Sequence, residues 1–229
     1  SRLAALMLAA GLSAGAASSK APPAPSPGRP LTLVYAGDAY FPPFEYKGAA
    51  GEAEGFNVQL VTTAARDAGI DVQFRLGPWA DVVSALDSGR ADLASLAYSD
   101  ERARRYDLLA PIWNMNMSLL FPKGRESYPK GLSDLADERV ALLDRGFLHE
   151  ALMKLPEAQR PRFRLCADQF EAVQKLIAGE ATVVAGNGLA LRHIAAQFGL
   201  RDLVEVEVAS TSYYLVSKKG RRAEFDDLV

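Results

Sequence analysis

Cysteine is almost absent from this chain. Cys166 stands alone, so no intrachain disulfide can form. Histidine is equally scarce. His149 and His193 lie far apart and no Cys-rich or His-rich cluster accompanies them, so neither a zinc site nor any other metal or cofactor is expected. Positive charge is not in excess: 26 Lys and Arg face 28 Asp and Glu, for a formal net charge of -2. That balance excludes the basic surface by which a nucleic-acid partner is usually held. No apolar run reaches the ~20 residues of a confident membrane span. What is present is ordinary globular material. The 229 residues are 49% hydrophobic and 24% charged, enough for one large core or two small ones.

The first residues do not read as folded structure. Arg2 precedes an apolar, small-residue run from Leu3 to Ala17, and the run passes into Ser18-Ser19. This pattern is that of a secretory signal peptide, expected over 1–19. No cysteine follows it to carry a lipid anchor. Residues 20–30 include the stretch APPAPSPGRP, which can form neither helix nor central strand and reads as a linker. The expected location is the periplasm, either free or as an ectodomain tethered to the inner membrane.

From Leu31 onward β-rich runs alternate with helical patterns. Leu31–Ala36 reads as a strand, Phe56–Gly69 as a helix with Val58, Val61, Ala65 and Ala68 on one face, and Asp71–Leu76 as a strand. A helix with the stripe Trp79, Val82, Val83, Leu86 should end at Gly89, before a strand at Asp92–Ala97. This β-α-β-α-β order implies parallel strands with helices on both faces. A second set follows: strands at Arg139–Leu143, Arg162–Cys166, Thr182–Ala185 and Leu203–Val208, with helices from Phe147, after Asp168 and around Leu191–Phe198. Asp168 with Glu171 reads as a capping box, and Phe170, Val173 and Ile177 as the buried stripe of the helix they open. The fold class is therefore α/β in two units. The expected boundaries are 31–112 for a first lobe, 113–210 for a second lobe with hinges, and 211–229 for a return to the first. Hinges are expected near Trp113–Met117 and Glu207–Thr211. Ligands of open α/β sheets sit at the carboxyl ends of strands, so two facing lobes would make a cleft between them.

Four segments carry candidate chemistry. Asp38-Ala39-Tyr40-Phe41-Pro42-Pro43-Phe44-Glu45-Tyr46 follows the first strand and is stiffened by proline. Tyr40 and Phe41 suit a stacking surface in the cleft, whereas Phe44 suits a plug over the core. Gly55-Phe56-Asn57-Val58 opens the first helix. Gly77-Pro78-Trp79 places a tryptophan where the second begins, with core and cleft roles equally supported. Tyr98-Ser99-Asp100-Glu101-Arg102 ends a strand, offers Ser99 as a helix cap, and presents Arg102 as a planar fork for a carboxylate.

In this order and at this spacing, DAYFPPFEY, GEAEGFNVQL, GPWADVVSALDSGRADL, SDERARRYDLLAPIW, GLSDLADERVALL and FEAVQKLIAGEATVVAGN resemble the bacterial extracellular solute-binding family 3, over about Leu31 to Gly220. That family includes periplasmic polar amino-acid binding proteins and the Venus-flytrap domains of sensor kinases. The resemblance implies a type II periplasmic binding-protein fold. It also implies that Phe41 and Trp79 sandwich the ligand, that Asp38 lies near its far end or amino group, and that Ser95 and Ala97 give backbone contacts. Arg102 would hold the α-carboxylate, and Asp144, Gly146 and Phe147 at a second-lobe helix start would complete that site.

Two departures matter. Gly146 and Phe147 stand where the family commonly has Ser or Thr. Asn187 stands where the family's second-lobe aspartate grips the α-ammonium, and an amide supplies no charge. The implied function is periplasmic binding or sensing of a small carboxylate-bearing solute, as the ectodomain of a membrane signalling receptor. The alternatives are a transport receptor for an ABC permease, a cyclohexadienyl or arogenate dehydratase-like enzyme, or a domain that has lost its ligand.

Overall fold

The computed structural model describes residues 32–226 and 228; the expected leader and Pro-rich linker lie outside the described residues. Strand β1 (Thr32–Asp38) pairs in parallel with β5 (Asp71–Gly77), from Thr32 opposite Asp71 to Asp38 opposite Gly77. Between them come the short antiparallel strands β2 (Tyr40–Phe41), β3 (Glu45–Lys47) and β4 (Ala53–Glu54), then helix α1 (Phe56–Asp67). Helix α2 (Trp79–Ser88) ends where Gly89 turns left-handed at φ 75°, a conformation only glycine adopts without strain. Strand β6 (Ala94–Ala97) follows, joined to β1 by a parallel bridge between Leu93 and Tyr35. Helix α3 (Asp100–Arg105) starts at Ser99, whose hydroxyl accepts from the Arg102 amide.

The second unit contains β8 (Arg139–Leu143), α4 (Phe147–Met153), β9 (Arg162–Cys166), α5 (Gln169–Ile177), β10 (Val183–Asn187) and α6 (Gly188–Gln197). Two long strands, β7 (Tyr106–Pro122) and β11 (Leu203–Lys218), join the units as one antiparallel ribbon. At one end β11 pairs with β6; at the other β7 pairs with β10. This gives the sheet order β6-β11-β7-β10-β8-β9. The strand expected at Leu203–Val208 thus runs on without a break into the segment expected to return to the first lobe. The segments read as hinges lie within the ribbon, which changes register between Glu207 and Ala209 and again between Tyr213 and Tyr214. Backbone pairing carries the chain through both segments, and the bulges supply the local irregularity.

Two apolar clusters fill the first unit, around Leu33, Tyr35, Val61 and Leu93 and around Trp79, Val82 and Leu86. A third, with Val173, Val184, Leu191 and Ile194, fills the second. A fourth crosses between them and joins Phe41 and Phe44 to Met115, Met117, Leu142 and Leu148. Helix α5 corrects one expectation. It buries Gln169, Ala172, Val173 and Leu176, while Ile177 is 52% exposed. Asp168 sets the helix phase by accepting from the Glu171 amide at 2.8 Å. That phase turns Phe170 aside, edge-on to Tyr40 and Phe198. Phe198, expected in the α6 stripe, is exposed because it lies just beyond the last helical turn. Glu171 closes its half of the cap on the Ala167 amide (2.7 Å), one residue earlier than a capping box has it.

Candidate functional site

The carboxyl ends of β1 and β6 and the starts of α2, α3, α4 and α6 meet around one cavity between the units. Its volume is about 70 Å3. Asp38, Phe41, Trp79, Ala97, Arg102, Gly146, Phe147 and Asn187, all singled out in the sequence, lie on its wall. Three other candidates do not. Ser95 lies behind the wall, where its hydroxyl shares a 2.6 Å hydrogen bond with the Tyr35 hydroxyl. Tyr40 faces a separate surface pocket beside Phe170. Asp144 stands outside the cavity, beside His149 (3.2 Å) and Arg145 (3.7 Å).

Arg102 is the only cation on the wall among the described residues, and it is 6% exposed. The cap at Ser99 fixes the first turn of α3 and so directs this side chain back over the end of β6. Its Nη1 donates to Ala97 O (3.2 Å), and its guanidinium carbon lies 5.6 Å from the centroid of Trp79. Nε and Nη2 donate to Glu150 Oε1 of α4, at 3.1 and 2.9 Å. Trp79 is both a core and a cleft residue: it is buried with Val82 and Leu86, yet it lines the cavity and donates Nε1 to Arg145 O (3.3 Å).

Asp38 is the only carboxyl group on the wall among the described residues. Burial pushes its pKa up to about 7, against the opposing hydrogen bond from the Tyr40 amide. Behind it, Glu45 is fully enclosed and accepts from the Tyr35 hydroxyl (2.6 Å), Asn57 Nδ2 (2.8 Å) and the Asp38 amide (2.8 Å). Desolvation raises the Glu45 pKa, and these donors pull it back. Asn57 Oδ1 accepts from Trp113 Nε1 (3.0 Å), and Trp113 stacks on Phe44 at 4.1 Å. Glu45 and Asn57 therefore brace the aromatic loop, and Phe44 is the core plug its position suggested.

Asn187 caps α6: its Oδ1 accepts from the Ala190 amide at 2.9 Å. Oδ1 thus spends one lone pair within the protein and Nδ2 donates to Asn116 O (3.5 Å), which leaves one amide N–H for a partner. Gln169 was missed by the sequence reading. It is buried on the cavity wall, and its Oε1 has no hydrogen-bond partner among the described residues. Such a group is costly unless a partner arrives. Its signal was available as a polar residue at the first position of a capped helix. Met115, Met117 and Tyr213 also line the cavity, and the two-residue spacing of the methionines is the strand alternation that puts both on one face.

Comparisons with known proteins bear on the family and the fold. A family model for bacterial extracellular solute-binding proteins, family 3, matches residues 33–220. The chain is 29% identical over 113 residues to the L-cystine-binding protein TcyJ of Escherichia coli (strain K12), covering 48% of this chain and 42% of that protein. It therefore spans less than half the length of that relative. It is 27% identical over 188 residues to the amino-acid-binding protein AabA of Dichelobacter nodosus, covering 79% of this chain and 73% of that one. Among solved structures, a histidine kinase sensor domain with similarity to periplasmic binding proteins superposes with a TM-score of 0.79 at 29% identity, covering 86% of each chain. An ancestral arginine-binding protein bound to arginine gives the same score at 24% identity and shares the fold. The curated relatives are named as binding proteins, and the fold is the two-lobed type II architecture of periplasmic binding proteins. The chain belongs to the bacterial extracellular solute-binding proteins, family 3.

Proposed function

We propose that the cleft closes on a small carboxylate-bearing solute, an amino acid or a related organic acid, and that this domain senses it for a membrane signalling receptor. The observation that carries the binding reading is Arg102. It is a buried guanidinium, the only cation among the described residues on the wall of the cavity between the lobes, beside the indole of Trp79. A fork of this kind matches a carboxylate in plane. Phe41 and Trp79 supply the flat faces for the body of the solute. Asp38 and Gln169 Oε1 are the acceptors on the wall for a donor group, whereas the Asn187 oxygen is already engaged. The α-amino group is therefore not strictly required, and matched hydroxy or keto acids should be tolerated. At about 70 Å3 the cavity is well below the ~300–1,000 Å3 of ligand pockets in general, so entry requires the lobes to part.

The sensing role rests on the likeness to the kinase sensor domain, which covers most of both chains. A transport receptor is the competing role, favoured by a 24% identity over 112 residues to a probable amino-acid ABC transporter-binding protein of Haemophilus influenzae. Fractionation separates the two: a sensor stays with the inner membrane after osmotic shock, and a free receptor is released. Of the three carboxyl candidates for a dehydratase-like reading, only Asp38 lies on the cavity wall, and it has no second carboxyl to pair with, because Glu45 is committed to three internal donors and Asp144 stands off the cavity. Binding itself is tested by ligand-dependent thermal shift on the parent and Arg102→Ala. Equal shifts in both would remove Arg102 from the site.

A further inference from the structure

Glu150 belongs to no motif of the sequence, yet it makes the main polar contact across the cleft. Its Oε1 accepts from Nε (3.1 Å) and Nη2 (2.9 Å) of Arg102, and its Oε2 accepts from the Ser99 hydroxyl (3.2 Å). Arg102 Nη2 also donates to Arg145 O (3.4 Å), and Nη1 to Ala97 O (3.2 Å). A guanidinium has five N–H donors. Four of these are engaged in this arrangement, and the one left cannot form a fork with a second carboxylate. The two side chains are 7% and 21% exposed, so solvent and salt screen them weakly. The pair also marks a boundary. On its inner side is the 70 Å3 cavity; on its outer side is a pocket of about 360 Å3, whose wall includes Arg102, Glu150, Arg145, His149 and Lys154.

We infer that Glu150 is an internal counterpart of the ligand's carboxylate: it latches lobe 2 onto Arg102 and must be displaced when a solute takes that arginine. This rests on the reading of Arg102 as the carboxylate anchor. Binding is then an exchange of one carboxylate for another. A solute that offers only a carboxylate gains little by the exchange. One that also fills the aromatic sandwich or reaches Asp38 and Gln169 gains enough to win. Glu150 therefore determines specificity as well as the resting position of the lobes.

The test uses the parent, Glu150→Gln and Glu150→Ala. Small-angle scattering on each protein with no added solute reads the latch alone. Both variants should have a larger radius of gyration than the parent, and identical radii would overturn the latch. Should Glu150→Ala fail to fold, the near-isosteric Gln variant decides. Calorimetry with L-glutamine, L-alanine and L-lactate as probes reads the exchange. Any probe that binds the parent should bind Glu150→Gln more tightly by about tenfold or more, because the competing state is depopulated. Equal affinities would overturn the exchange. Expansion of the variants with no probe bound by any protein would leave the latch standing and count against the carboxylate reading of the site.

Discussion

The two walls of the cleft differ in kind. Among the described residues, the first lobe brings the one cation and the one carboxyl group on the cavity wall, Arg102 and Asp38, together with the aromatic faces of Phe41 and Trp79. The second brings Gly146, Phe147, Leu148, Gln169 and Asn187, none of them charged. The one charge that α4 directs toward the cleft, Glu150, is spent on Arg102. On the proposed reading, recognition of charge is the work of the first lobe, while the second closes over the solute with neutral groups. Closure stabilises the complex only by the difference in affinity between the two lobe positions. A wall of neutral groups makes that difference depend on shape and hydrogen bonding.

The strongest way to break this division is Arg102→Ala. It removes the one wall cation among the described residues, and with it a charge-assisted pair worth about 2–5 kcal/mol of solute binding. Thermal shift with and without solute reads the loss. Arg102→Lys keeps the charge but not the fork, and it should recover only part of the affinity.

Asp38→Asn probes the other charge. The Asp38 pKa is raised from 3.8 to about 7 by burial, so the folded state favours its neutral form. The native state then suffers no penalty below pH 4. A penalty grows as pH rises toward 7 and levels off above it. Asp38→Asn keeps an oxygen for the Tyr40 amide and removes that penalty. Its stability relative to the parent should rise between pH 4 and pH 7, by at most ~4 kcal/mol. Denaturant midpoints across that range check the sign; a constant difference would show that Asp38 is not the titrating group.

On the second wall the expected effects are smaller. Gln169→Leu removes the unpartnered Oε1. The free protein should be as stable or more so, while solutes bearing an amino or amide donor lose ~1–3 kcal/mol relative to matched solutes without one. A uniform loss for both kinds would place Gln169 in packing alone. Asn187→Ala should cost ~1 kcal/mol of stability through the lost α6 cap. It should leave the preference between amino and hydroxy acids unchanged, because its oxygen is already bonded to Ala190. A changed preference in calorimetry would return Asn187 to the amino subsite.

How much of this was legible in the sequence follows from the range of each interaction. Local signals read well. The Ser99 and Asp168 caps, the Gly89 stop and the strands Arg139–Leu143 and Arg162–Cys166 stand where the pattern put them. The family motifs brought eight candidates to one cavity. What was hidden depends on partners distant in the chain. Ser95 and Glu45 look available in sequence, but each is bonded to Tyr35 within the first lobe. Glu150 is 48 residues from Arg102 and carries no local mark beyond lying one helical turn past Gly146 and Phe147. Continuity of the β7–β11 ribbon was hidden for another reason: its bulges fall where composition alone suggests a break.

The most direct test of the central claim is titration calorimetry with a matched set for each common L-amino acid: the free acid, its α-amide and the corresponding 2-hydroxy acid, each against the parent protein and Arg102→Ala. If the cleft recognises a carboxylate through Arg102, at least one acid binds the parent, its hydroxy analogue also binds, its amide does not, and Arg102→Ala loses both acids. An amide that binds as well as its acid, or acids held equally by parent and variant, would contradict it.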